Sequence, residues 1–206
     1  MNGAFRMNRN CYDNSSLFVL NTSKAVLLVG IGEMLVGCDF EHQDTKPALR
    51  NGWRWVRLGD HTTKVGSGIT PLGGQMAYLP SGVSLVRSQN VHMNRFARAG
   101  LVFISAEQDA EMESSRVYPD DVLLTITGAS IGRVCVIPPE LCPANVNQHV
   151  SIIRCDGSIY PGFLSYYMST PDFQKFIMNT QAGATRQALT KTLIEEFQIP
   201  LPSLDE

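Results

Sequence analysis

From Trp53 onward the apolar residues come in runs of only four or five, at 83–86, 101–104, 122–126, 134–137 and 150–153. That brevity limits the possible folds more than any other feature of the chain. Each run is rich in valine, isoleucine and leucine, which suit an extended backbone packed in a sheet. Turn-forming residues stand between them: Gly66-Ser67-Gly68, Pro71, Gly73-Gly74, Pro80-Ser81-Gly82, Gly128, Gly132 and Pro138-Pro139. A buried strand needs four to eight residues and a helix about ten or more, so these runs predict short strands. Helical spacing arrives later. Phe163, Tyr166 and Tyr167 share the i, i+3, i+4 spacing, Phe173, Phe176 and Ile177 repeat it after Pro171, and a third patch covers 189–197. Strands first and helices afterwards argue for α+β rather than a regular βαβ alternation. The expected architecture is a strongly twisted, partly barrel-like sheet of short strands with a few peripheral helices.

A length of 206 residues suits one domain with an appendage. Residues 1–52 read as that appendage: a polar start, a helix over 24–36 capped by Thr22 or Ser23, and a linker at 41–52 containing Pro47 and Gly52. The domain itself is expected at 53–202. No apolar run reaches the roughly 18–20 residues of a membrane span. The richest stretch, 25–37, is broken by Gly30, Gly32 and Glu33 and lies behind a polar N-terminus, unlike a secretory signal. A soluble, cytoplasmic chain is therefore expected. The five cysteines (11, 38, 135, 142 and 155) are odd in number and lack a Cys-x-x-Cys pair, which predicts reduced thiols packed as small apolar groups.

The formal net charge of −2 hides an uneven layout. Residues 45–105 hold Lys46, Arg50, Arg54, Arg57, Lys64, Arg87, Arg95 and Arg98 against Asp60 alone, a net +7. Residues 106–121 hold Glu107, Asp109, Glu111, Glu113, Asp120 and Asp121 against Arg116, a net −5. Such a basic segment suits either a polyanion or a partner of opposite charge, including the acidic segment beside it. Arginine outnumbers lysine 12 to 5, and its planar fork matches phosphate and guanine edges.

Catalytic signatures are sparse. The chain has no Gly-x-x-x-x-Gly-Lys-Ser/Thr phosphate loop, no Gly-x-Gly-x-x-Gly opening a helix and no His-Glu-x-x-His, and its four histidines are scattered. Gly128-Ala129-Ser130-Ile131-Gly132 does fit the Gly-x-Ser-x-Gly nucleophile elbow. That elbow needs a helix after the serine, yet Arg133 to Pro139 reads as another strand, so a glycine-rich hairpin turn accounts for it better. The same hairpin offers the hydroxyls of Thr125, Thr127 and Ser130 with Arg133 close behind. Asn145-Val146-Asn147-Gln148-His149 gathers amide and imidazole side chains, and Thr185-Arg186-Gln187 and Arg87-Ser88-Gln89-Asn90 repeat the chemistry. Asn and Gln pair with adenine edges, and Arg with guanine. Each cluster alone also suits loop capping; together with the basic segment they point toward nucleic acid.

Trp53-Arg54-Trp55-Val56-Arg57-Leu58-Gly59-Asp60, followed by Gly66-Ser67-Gly68-Ile69-Thr70-Pro71, resembles the opening of a target recognition domain in the DNA specificity subunits of type I restriction–modification systems. The resemblance continues through Val86 to Asn90, through Asp121-Val122-Leu123-Leu124-Thr125 into Gly128 to Gly132, through Asn147-Gln148 and Gly183-Ala184-Thr185, and closes on Ile199-Pro200-Leu201-Pro202. It implies a DNA-reading module without catalysis or a cofactor of its own. In that family two such domains, separated by long paired helices, each read half of a split site. The partners implied are double-stranded DNA, methyltransferase subunits that use S-adenosylmethionine, and a restriction subunit. This chain carries one such domain and stops where the first long helix would start, at 203–206. That implies the N-terminal half of a subunit, a truncated piece, or a half-subunit.

Under this resemblance Arg87, Gln89, Asn90, Arg95, Thr127, Ser130, Arg133, Asn147, Gln148 and Arg186 are candidate DNA contacts, while Lys64, Ser67 and Lys191 are expected at phosphate. Two other readings make different expectations. A protein-interaction domain without a nucleic-acid role would associate without the steep salt dependence of phosphate binding. A serine hydrolase using Ser130 would label with a fluorophosphonate.

Overall fold

A computed structural model describes residues 48–181 and 188–202. The expected helix at 24–36, the cluster Thr185-Arg186-Gln187 and residues 203–206 lie outside the described residues. In chain order the strands are β1 (Trp53–Arg57), β2 (Thr62–Ser67), β3 (Val83–Val86), β4 (Val91–His92), β5 (Arg95–Phe96) and β6 (Val102–Ile104). They continue with β7 (Arg116–Val117), β8 (Val122–Thr125), β9 (Val134–Val136), β10 (Ala144–Val146), β11 (Val150–Cys155) and β12 (Gln198–Pro202). The helices are α1 (Ala106–Glu111), α2 (Pro161–Met168), α3 (Pro171–Gln181) and α4 (Lys191–Glu195).

The α+β expectation holds, with every apolar run forming a strand. The strands divide into two four-stranded sheets and two two-stranded ribbons, with no closed barrel among the described residues. The inner sheet, β2-β11-β8-β9, is antiparallel throughout. The outer sheet, β6-β3-β10-β7, is mixed, with β3 and β10 parallel. Strand β8 shows why its sequence is apolar without alternation. Val122 and Leu124 pack toward the helices and Leu123 toward the outer sheet, all three fully buried. A strand covered on both faces has no solvent side on which to place polar residues.

The helical face of the inner sheet is covered by aromatic packing. Tyr167 meets Phe173 edge-on at 5.2 Å between centroids, and Phe173 meets Phe197 at 5.1 Å. Phe163 and Tyr167 face inward while Tyr166 of the same trio points to solvent. Beyond the outer sheet a smaller cluster of Leu85, Ile104 and Met112 lies under α1, whose N-terminus is capped by Ser105 Oγ accepting from the Gln108 amide at 3.2 Å. Strands β1 and β12 pair along their whole length, from Trp53 opposite Pro202 to Arg57 opposite Gln198. The described cysteines are free thiols, and Cys135 is buried; burial pushes its thiol up to about 12.

Charges inside the fold are paired. Asp121, with no exposed surface, accepts from Arg154 Nε and Nη2, both at 2.7 Å, and from the Tyr118 amide at 2.8 Å. Arg116 pairs with Asp109, whose carboxylate also receives Asn145 Nδ2. Among the described residues no carboxylate of the acidic segment is paired with a cation of the basic one. The nearest link is Lys64 Nζ, which donates to the Ser114 carbonyl at 2.7 Å.

Candidate nucleic-acid interface

The antiparallel register of the inner sheet puts Ser67 opposite Ser151, Thr125 opposite Val150 and Leu124 opposite Val134. The ends of β2 and β8 and the starts of β9 and β11 therefore share one edge of the domain. The outer sheet reaches the same edge. Val86 and Val146 are register partners at the parallel ends of β3 and β10, and the Asn147 amide donates to the Val86 carbonyl at 3.0 Å. Gly68 joins the two sheets. Its amide donates to the Val150 carbonyl at 3.1 Å, and a Cβ at this position would lie 1.8 Å from the Val146 carbonyl oxygen. Segments 68–82, 87–90, 126–133 and 147–149 consequently leave from a single polar end.

Between β8 and β9 the chain forms a stitched turn rather than an elbow. Gly128 and Gly132 take positive φ, +73° and +86°, which few other residues adopt. The Gly132 amide returns to the Thr125 carbonyl at 2.9 Å, and Gln174 Nε2 from α3 holds the Gly132 carbonyl at 2.9 Å. Ile131 after Ser130 is extended and leads into β9, so the strand-to-helix geometry that exposes a nucleophile is not formed. The histidine nearby engages a different hydroxyl: Thr127 Oγ1 lies 2.6 Å from His149 Nδ1. On its other side His149 Nε2 lies 3.1 Å from Gln148 Nε2, and its amide donates to Asn147 Oδ1 at 3.1 Å. Thr127, Gln148 and His149 thus form one network, in which His149 is the member that did not stand among the expected contacts. Its sequence signal was membership of the polar cluster at 145–149.

The polar end brings together Ser67, Thr127, Ser130, Arg133, Asn147 and Gln148. Arg95 lies on the hairpin of β4 and β5, which is tied to this end by the Asn94 amide donating to the Val134 carbonyl at 2.8 Å. Neither Arg95 nor Arg133 is engaged through its guanidinium by a described residue. Lys191 opens α4 two residues after Leu189, whose amide donates to the Ile126 carbonyl at 3.0 Å. Its ammonium is exposed, 3.7 Å from Glu195.

Other expected contacts are occupied elsewhere. Arg87 Nη2 donates to the Gly100 carbonyl at 2.6 Å and its guanidinium lies over the Tyr78 ring; Gln89 Nε2 donates to the same carbonyl at 3.2 Å. Asn90, expected to touch DNA, has no exposed surface. Its Nδ2 donates to the Ala97 and Ala99 carbonyls and its Oδ1 accepts from the Arg87 amide. All of its amide is spent on holding the 87–100 segment, which leaves nothing to offer a base. Lys64 lies three residues back along β2 from the polar end; burial, then neighbouring Arg154, pushes its ammonium below the ordinary lysine value. Arg186 is outside the described residues. Replacing Asn90 with alanine removes three hydrogen bonds that hold the 87–100 segment and leaves a cavity at a fully buried position, and should cost about 2–3 kcal/mol in urea unfolding. DNA sequence preference, read by selection from a duplex pool, should not change; a changed preference with unchanged stability would restore Asn90 as a reader.

Residues 85–206 match the type I restriction modification DNA specificity domain. The chain is 28% identical over 131 residues to the specificity subunit of the type I restriction enzyme EcoBI of Escherichia coli, covering 62% of this chain and 27% of that protein. It is 22% identical over 166 residues to the StySPI specificity subunit of Salmonella potsdam, covering 77% of this chain and 34% of that one. The chain thus spans about a third of the length of these relatives. Its fold resembles a solved chain from a study of complex assembly and conformational transition in a type I R-M system. The TM-score is 0.58 at 23% identity, over 80% of this chain and 37% of the other.

Proposed function

Because the chain belongs to the type I restriction modification DNA specificity domain family, we propose that residues 53–202 read one half of a split DNA site for a type I restriction–modification complex. The observation that carries this reading is the single polar end, where hydroxyl, amide and imidazole groups from separate loops converge beside two unengaged guanidiniums. Such an end offers donors and acceptors to base edges and cations to phosphate at once.

In this reading Thr127, Ser130, Arg133 and Gln148 face the bases, Ser67, Arg95 and Lys191 face phosphate, and Gln89 stays on the Gly100 carbonyl. Arg186 joins the first group on the chemistry of its cluster alone. Arg87, Asn90 and Asn147 fix the loops that carry these groups. The chain contributes recognition; methylation, with S-adenosylmethionine, and cleavage belong to methyltransferase and restriction subunits bound alongside it. A role on chromosomal DNA goes with a cytoplasmic location. No helix among the described residues is long and apolar enough to cross a membrane.

The test is fluorescence anisotropy of the full chain with a random-sequence duplex pool, titrated from low to moderate salt. Binding that weakens steeply with salt is expected, because each neutralised phosphate releases counterions. Arg95→Ala should weaken binding to all sequences alike and reduce the logarithmic salt slope by about one; Arg133→Ala should cost about 1–3 kcal/mol concentrated at one base position. If both variants keep wild-type affinity and slope, the polar end is not the DNA face. Silence at low salt, repeated with the methyltransferase present, overturns the function itself.

A further inference from the structure

Between β10 and β11 the chain turns within three residues, Asn147-Gln148-His149. The turn closes on itself through the Val150 amide, which donates to the Asn147 carbonyl at 3.1 Å. His149 is held through both of its backbone groups. Its amide donates to Oδ1 of the buried Asn147 at 3.1 Å, and its carbonyl accepts from the Ile126 amide, just past β8, at 3.0 Å. The ring is held as well, because Thr127 Oγ1 lies 2.6 Å from Nδ1. A half-buried imidazole is thereby fixed beside an exposed glutamine.

The contact between these two side chains sets the roles of all three partners. His149 Nε2 lies 3.1 Å from Gln148 Nε2. An amide nitrogen can only donate, so the ring Nε2 accepts and the ring proton sits on Nδ1. Nδ1 then donates to Thr127 Oγ1, whose own proton stays available for another acceptor. Gln148 spends one of its two N–H groups on the ring, and among the described residues its side chain has no other partner. Oε1 finds no donor on a ring nitrogen that carries no proton. The amide therefore turns the N–H trans to Oε1 toward the ring and directs Oε1, with the remaining N–H beside it, outward.

We propose that His149 is a positioning residue, which orients the Gln148 amide so that it reads adenine at one position of the site. The proposal rests on the DNA-reading function above. An acceptor and a donor side by side match the major-groove edge of adenine, where the N6 amino group donates and N7 accepts. Guanine presents acceptors at both N7 and O6, so the same amide would set Oε1 against O6. A glutamine without the ring could turn its amide either way and would lose more side-chain freedom on binding. The ring acceptor favours one orientation before DNA arrives.

The experiment uses the full chain and the tightest duplex recovered from the random pool, with each adenine of either strand replaced in turn by 7-deazaadenine. That base keeps its pairing edge and lacks only the N7 acceptor. Wild type should lose affinity about fivefold to tenfold at one position, the share of a bidentate pair that one bond carries. Gln148→Ala should bind the two duplexes equally there. His149→Phe keeps a ring without nitrogens and should also lose the discrimination. His149→Gln returns a side-chain oxygen near the place of Nε2 and should restore most of it. All three should keep the wild-type salt slope, since none removes a cation. The ratio of two affinities is insensitive to a folding defect, because a smaller folded fraction lowers both alike. The inference falls if wild type ignores the substitution at every adenine, or if Gln148→Ala or His149→Phe keeps the discrimination. It falls equally if His149→Gln loses as much as His149→Phe, which would leave His149 as part of the turn alone. Each of these outcomes leaves salt-dependent DNA binding by wild type intact; loss of that binding would overturn the function rather than the role of His149.

Discussion

Asp121→Ala should cost about 3–5 kcal/mol, a large part of the 5–15 kcal/mol that holds a typical domain together. Asp121 has no exposed surface and receives two charge-assisted bonds from Arg154, with a third bond from the Tyr118 amide. Arg154 comes from β11 and lies over the Tyr118 ring, 4.6 Å from its centroid, so the cluster joins the middle of the inner sheet to the turn before β8. Removing the carboxylate strands a partly buried guanidinium, and the cost arises from that orphaned charge more than from the lost attraction. The Asp121 hydrogen bonds raise the Arg154 pKa further above its ordinary value, so Arg154 does not escape by losing its proton. Asp121→Asn keeps an acceptor for the Tyr118 amide and should be less damaging. Urea unfolding at neutral pH checks both variants, and a loss below about 1 kcal/mol for Asp121→Ala would mean that water replaces the carboxylate. Since Asp121 is remote from the polar end, the folded fraction of either variant should keep its DNA preference.

How much of this could be read from the sequence follows from what each element buries. The runs at 83–86 and 122–126 were legible because both faces of their strands are covered, which leaves unbroken apolar stretches. Strand β2 was not: Thr62, Thr63, Lys64, Gly66 and Ser67 surround Val65, its one buried apolar residue, and the segment holds one of the glycines that mark turns, Gly66. Strand β12 carries Pro200 and Pro202, which read as a break. It survives because it pairs on one side only, with β1, where a missing amide costs least. In the candidate site the clustering of Thr127, Ser130, Arg133 and Gln148 was legible as chemistry, and Asn90 shows where that reading fails. A buried asparagine that satisfies three backbone groups and an exposed one that reads adenine have the same composition and the same turn-rich surroundings. The exposed Leu72 and Met76 escaped notice for the opposite reason. Leucine and methionine between glycines look like ordinary core material until their exposure is known.

Gly68→Ala should be the most disruptive single-methyl change in the domain, at about 3 kcal/mol or more. Its neighbour two positions back provides the control. A Cβ on Gly66 meets nothing within 4 Å, so Gly66→Ala should be neutral or stabilise by about 0.5 kcal/mol through the smaller freedom of alanine in the unfolded chain. At Gly68 the added atom would lie 1.8 Å from the Val146 carbonyl oxygen, 2.4 Å from its carbon and 2.8 Å from the Asn147 oxygen. All three are backbone atoms, so no side chain can swing away. Relief requires β2 to separate from β10, which breaks the junction between the sheets. That junction also fixes Asn147 to His149 and the start of the 68–82 segment, so DNA binding should fall together with stability. Parallel urea titrations of the two alanine variants decide the matter. If they unfold at the same midpoint, the close approach at Gly68 does not join the sheets, and the convergence of loops at the polar end loses its structural cause.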